Sequence, residues 1–116
     1  MKMKFGRVAG IEKPVSRIGQ GCMMLKSGDG QERSNEILDA AWESGVRLFD
    51  HSHVYGGGEC ERAFGSWLAS RGNRDELVIL DKGCHPAGGE KRVSPAHIRE
   101  DLAGSLERLG VEHVDL

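Results

Sequence analysis

Apolar and polar positions along this chain follow two periods in turn. Two short apolar runs of strand length, "VRLFD" (46–50) and "LVILDK" (77–82), stand among stretches whose apolar residues recur every three to four positions. The second run is continuous rather than alternating, the pattern of a strand covered on both faces. In "SNEILDAAWES" (34–44), Ile37, Leu38, Ala41 and Trp42 share a helical face, with Ser34 placed to cap the start and Gly45 to end it. In "ECERAFGSWLAS" (59–70) the stripe is Ala63, Phe64, Trp67 and Leu68. A third helix is predicted over "SPAHIREDLAGSLERLG", with Ser94 as N-cap and Pro95 in the first helical position. Its stripe is Ile98, Leu102, Leu106 and Leu109, and Gly110 terminates it.

Upstream, "MKFGRVAGIEKPVSRIG" reads as a small hairpin turning at Ala9-Gly10, with Pro14 confined to an edge position. "RIGQGCMM" reads as a short strand running into a glycine-bearing turn, and the terminal "VEHVDL" as the opening of a further strand. The order is a hairpin, three strand–helix units and a strand. Such alternation predicts an α/β fold with a parallel sheet and right-handed crossovers. A doubly wound dinucleotide fold would place G-x-G-x-x-G after the first strand, and "GQGCMM" supplies only two of those glycines. A closed (β/α)₈ barrel takes about 250 residues. Four strands and three helices therefore amount to its first half, and residues 1–116 are expected to be the amino-terminal portion of one barrel domain, truncated.

Composition narrows the function classes. Sixteen basic against 18 acidic residues leave a formal charge of −2, which gives no reason to expect nucleic acid or an anionic membrane as partner. No apolar run approaches the ~20 residues of a membrane span. The start "MKMKFGRVAG" has no apolar stretch behind its charges, so no secretory leader is expected. Cys22, Cys60 and Cys84, odd in number and widely spaced, suit reduced thiols in a cytoplasmic protein.

The chemistry gathers at the strand ends. Side chains in a strand alternate, so Val46, Leu48 and Asp50 share one face, and Val78, Leu80 and Lys82 another. Asp50 and Lys82 both fall at carboxyl ends, the edge where α/β proteins keep their active sites. Tyr55 follows on a loop that overhangs the same rim. Gly56, Gly57 and Gly58 allow that loop a sharp turn before Glu59 and Glu61 favour a helix start.

With these residues in order, the chain resembles the amino-terminal half of an aldo-keto reductase. "FDHSHVYGGGECERAFG" is similar to that family's FDTAxxYG segment and the GGESE-like residues after it. "VILDKG" resembles its (I/V)xTKG strand, and "SRIGQGCM" its first-strand turn. "HIREDLAGSLERLGVEHVDL" resembles the helix and strand leading to its catalytic histidine. The resemblance implies reduction of a small-molecule aldehyde or ketone by hydride transfer from NADPH, with NADH possible. It implies catalytic roles for Asp50, Tyr55 and Lys82. It places Gly21, Cys22, Met23 and Asp50 beside the cofactor. The family's fourth catalytic residue, a histidine, falls beyond Leu116. His51 and Asp81 depart from the family, which often has Thr at both places. Alternation turns Asp81 away from Lys82, toward the helix layer.

Such a tetrad has a physical logic. An ordinary tyrosine has a pKa near 10, and bringing it to ~7 costs about 4 kcal/mol. An ammonium ~4 Å away favours the tyrosinate by about 1 kcal/mol in water, and by about 4 at an effective dielectric near 20. A lysine can therefore tune a tyrosine only in a partly dry pocket. Two other readings stay open on the residues alone. His51-x-His53, with Cys84 and His85 at the next strand end, could begin the metal site of a barrel hydrolase. A chain with half a barrel could also be a non-catalytic cofactor-binding or interaction fragment. The substrate and the oligomeric state are not legible.

Overall fold

A computed structural model describes residues 2–116. The chain opens with a hairpin in which β1 (Phe5–Gly6) pairs antiparallel with β2 (Val15–Ser16), turning through Gly10. Strands β3 (Gly19–Gly21), β4 (Leu48–Ser52) and β5 (Val78–Lys82) form a parallel sheet in that spatial order. Helices α1 (Gln31–Glu43) and α2 (Glu59–Arg71) connect them, and α3 (Pro95–Leu109) follows β5. The α/β class, the parallel sheet and the three helices are those the periodicity predicts.

The register places Gly21 beside Asp50, Asp50 beside Leu80, and Ser52 beside Lys82. On β4 this leaves Phe49 and His51 facing the helices, both without solvent exposure. Phe49 meets Phe64 and Trp67 of α2 with ring centroids 5.2 and 5.6 Å apart. Tilted aromatic pairs of this kind add about 0.5–1.5 kcal/mol each to what burial supplies. Leu38, Leu77 and Ile79 complete the fully buried centre. Trp67, buried to its edge, donates its indole N–H to Asp39 Oδ1 at 2.8 Å, so its one polar atom is not stranded.

The hairpin is latched beneath the sheet. Ser16 Oγ accepts from the N–H groups of Arg47 and Leu48 at the start of β4. Lys13 Nζ donates to Leu77 O just before β5 and pairs with Asp115 at 2.8 Å.

Four expectations need correction. Helix α1 starts four residues earlier than its capping pattern suggests. Ser34 lies inside it, buried, with its hydroxyl bonded to Lys26 N and O, so it pins a loop instead of capping a helix. The β4 strand runs over Leu48–Ser52 and not 46–50, because Val46 and Arg47 bond back to the end of α1 and to the hairpin. "VEHVDL" forms no strand among the described residues. Bonds of Asp115 and Leu116 N–H to Ile79 O, and of Asp81 N–H to Leu116 O, lay it beside β5 for too short a stretch to form a ladder.

The fourth correction concerns α3. Its cap is as expected, Ser94 Oγ accepting from His97 N with Pro95 at the first position. Its buried face, however, carries Asp101, Ser105 and Leu109, while Ile98 and Leu102 are 52% and 41% exposed. Of the expected stripe Leu109 joins the buried face, while Ile98 and Leu102 turn outward because polar partners hold Asp101 and Ser105 inward.

Helices α2 and α3 approach closely at Gly65, where an added Cβ would lie 2.7 Å from Leu109 O and 2.8 Å from Arg108 O. Backbone cannot yield as a flexible side chain does. The Gly65→Ala variant should therefore lose about 1–3 kcal/mol to overpacking, despite alanine's better helix propensity. A lowered urea midpoint with unchanged m-value is the expected reading.

Candidate active site

The carboxyl end of the sheet brings Asp50, Lys82 and Tyr55 together. Lys82 Nζ donates to Asp50 Oδ1 across the β4–β5 pair, in a short ion pair. The same ammonium lies 4.9 Å from the centroid of the Tyr55 ring. Partial burial works against the Lys82 charge, but hydrogen bonding to Asp50 and Tyr55 outweighs it and holds the ammonium above the ordinary lysine range. The side chains of Lys82 and Asp50 remain 46% and 40% exposed, so water screens the pair.

Tyr55 is presented by a turn that only glycine can build. It opens a 3₁₀ turn, Tyr55–Gly58, in which Gly56, Gly57 and Gly58 have φ of 58°, 63° and 94°. Gly57 N–H closes on Val54 O, and α2 begins at Glu59. The three glycines thus fold the loop back onto the strand ends within four residues. No phosphate-cradle role is needed to explain them.

Behind Lys82 lies a network the sequence does not announce. The Lys82 carbonyl accepts from His53 N–H at 3.0 Å and from Ser52 Oγ at 3.1 Å, tying β4 to β5 at the rim. Asp101 of α3 accepts from Cys84 N–H at 2.7 Å and from both terminal nitrogens of Arg92, at 2.7 and 2.9 Å. His53 Nδ1 lies 3.5 Å from Asp101, and His53 Nε2 accepts from His85 N–H. The Arg92 guanidinium above all lowers the Asp101 carboxyl to about 2. Cys84, the one described non-glycine residue with positive φ (61°), is held there by its bond to Asp101. Asp101 lies between Ile98 and Leu102 in sequence. A helix reading keyed to apolar spacing passes over it.

The remaining expected positions divide. Gly21 ends β3 beside Asp50, with open space where a Cβ would stand, and Met23 is 59% exposed beyond it. Cys22 is a correction: its side chain is wholly buried in the core and its thiol donates inward to Gln20 O, so it offers no surface to a cofactor. Only its backbone serves the rim, Cys22 N–H donating to Asp50 O at 3.0 Å. The metal-site reading is also corrected. His51 is sealed against Phe64 at 4.3 Å between ring centroids, while His53 stands outside on the rim with Asp101 and His85. The two imidazoles do not converge, and among the described residues no three His, Cys, Asp or Glu side chains are grouped to hold an ion.

Comparison with known proteins bears on the family and the fold. The model of the aldo/keto reductase family matches residues 17–116. Aldo-keto reductase str7 of Strobilurus tenacellus is 36% identical over 88% of this chain, which covers 32% of that protein. A Bacillus halodurans aldo-keto reductase, solved in its holo form, superposes with a TM-score of 0.79 at 27% identity, over 97% of this chain and 38% of that one. The Gluconobacter oxydans glycerol dehydrogenase gives 0.77 at 26% identity, over 95% and 37%. The chain thus spans about a third of the length of these relatives and corresponds in fold to part of their barrels. With the family model matched over 17–116, the chain belongs to the aldo/keto reductase family.

Proposed function

We propose that this chain supplies the proton-transfer side of a carbonyl reductase, as the amino-terminal portion of one (β/α)₈ barrel completed by further strands. Tyr55 is the proton donor to the forming alkoxide, Lys82 the positive charge held beside it, and Asp50 the carboxylate that keeps Lys82 charged and in place. The observation that carries this reading is the Asp50–Lys82 ion pair with the Tyr55 ring against the same ammonium. Lys82 is oriented from behind as well, since its carbonyl is tied to β4 through Ser52 and His53.

A nicotinamide cofactor, taken here as NADPH, supplies the hydride when bound. The open strand end at Gly21, the exposed Met23 and the Asp50 carboxylate are suited to line its place. The partner is then a small aldehyde or ketone. Three unpaired cysteines fit a reducing, cytoplasmic setting, and no described helix is long and apolar enough to cross a membrane.

Exposure decides what the rim can do. With Lys82 46% exposed, its pull on a neighbouring hydroxyl belongs nearer the water limit of about 1 kcal/mol than the 4 kcal/mol of a shielded pocket. The remaining strands of a barrel would exclude that water. The 116-residue chain alone should therefore show no NADPH-dependent turnover of aldehydes, followed by cofactor absorbance. In a chimera with residues 17–116 in place of the matching stretch of the Strobilurus relative, carbonyl reduction should return. There Tyr55→Phe should lower kcat about 100-fold or more. A Tyr55→Phe chimera as active as its parent would remove the tyrosine from the proposed role.

A further inference from the structure

The face of the sheet opposite Lys82 holds a second set of ionisable groups that the proposed chemistry does not use. Asp81 of β5 points into the helix layer, and both its carboxyl oxygens are shut off from solvent without a hydrogen-bond donor. Glu61 of α2 is wholly buried; its Oε2 accepts from Arg108 Nε, and its Oε1 is likewise without a donor. The two carboxyls lie within hydrogen-bonding reach of each other. From α3 they are faced by Arg108 and by Ser105, whose hydroxyl already stands 3.5 Å from Arg108 Nη2. From β4 the neighbour of Asp81 is His51, buried against Phe64, with neither ring nitrogen bonded. Lys82 and Asp50 are paired with each other on the other face.

Three buried acceptor oxygens and one cation cannot be reconciled with two ionised carboxylates, since each uncompensated buried charge is costly. We propose that Asp81 and Glu61 share one proton, Asp81 as the carboxylic acid donating to the Glu61 carboxylate, and that loss of this proton to solvent loosens α3 from β5. The helix α3 is the layer that would give. Among the described residues it supplies the cation facing this pair, Arg108, and its outward side presents Ile98 and Leu102 to water.

The direction of the pH effect follows. Burial first, and Glu61 second, push Asp81 up to about 7, whereas the Asp81 proton and the Arg108 guanidinium outweigh burial and lower Glu61. Between the ordinary carboxylate range and about 7, the folded chain holds a proton that the unfolded chain has released. That stabilisation is present in acid and lost as pH rises through about 7. His51 acts oppositely. Burial lowers it to about 4, so its contribution is lost as pH falls from the ordinary imidazole range. The His51 contribution is common to the wild type and an Asp81 variant and cancels in their difference.

The Asp81→Asn variant keeps a donor toward Glu61 and cannot ionise. Urea unfolding of both chains from pH 5 to 8 should show the wild-type unfolding constant rising at least tenfold relative to the variant, within the limit of tenfold per pH unit for one proton. Infrared spectra of the wild type should show a carboxylic-acid carbonyl band at pH 5 that fades by pH 8, a readout that needs no variant to fold. Unfolding curves that stay parallel within twofold, or a wild-type spectrum with only ionised carboxylates at pH 5, would overturn the proposal.

Discussion

The register between β4 and β5 is the constraint on which the rest depends. Five residues pair in parallel, Leu48 with Val78 through Ser52 with Lys82. Because side chains alternate with period two, that register sorts the polar groups of the two strands. Asp50 and Lys82 go to one face and meet as an ion pair; His51 and Asp81 go to the other and are sealed under the helices. A slip of β4 by one residue would bury Asp50, part it from Lys82 and expose Phe49. The register is therefore held by burial on one side and by charge on the other.

Much of this was legible from the amino-acid order. Period two and period 3.6 located the parallel strands and all three helices, and the α2 stripe of Ala63, Phe64, Trp67 and Leu68 is buried as read. Asp50 and Lys82 could be brought to one rim because strand ends and neighbour rules are local properties. What escaped was set by tertiary partners. Ser34 looks like a cap until Lys26 is seen beside it, and Cys22 looks like a rim residue until its side chain is seen turning into the core. Asp101 is the plainest case. Its partners, Cys84 and Arg92 from the loop after β5 and His53 from the end of β4, come from segments that apolar periodicity does not connect.

Helix α3 shows how buried polarity can override an apolar stripe. Ile98 and Leu102 would ordinarily be expected to face the sheet, each side chain contributing about 1.5–3 kcal/mol on full burial. Here Asp101, Ser105 and Arg108 face inward instead, and their hydrogen bonds to the β5 loop and to Glu61 orient the helix. Losing one partner of such a bond is more costly than leaving a leucine half wet. The result is a helix with an apolar surface still available on its outer side, where Ile98 and Leu102 meet water.

The hairpin latched by Ser16 and Lys13 makes the two ends of the sheet unlike. The amino ends of β4 and β5 are covered by the hairpin, through bonds of Ser16 with Arg47 and Leu48 and of Lys13 with Leu77. The opposite end has only a glycine turn and a loop pinned by one carboxylate. The two ends therefore differ in what they leave open to water: the hairpin covers the amino ends, while at the carboxyl ends the side chains of Lys82 and Asp50 stay 46% and 40% exposed.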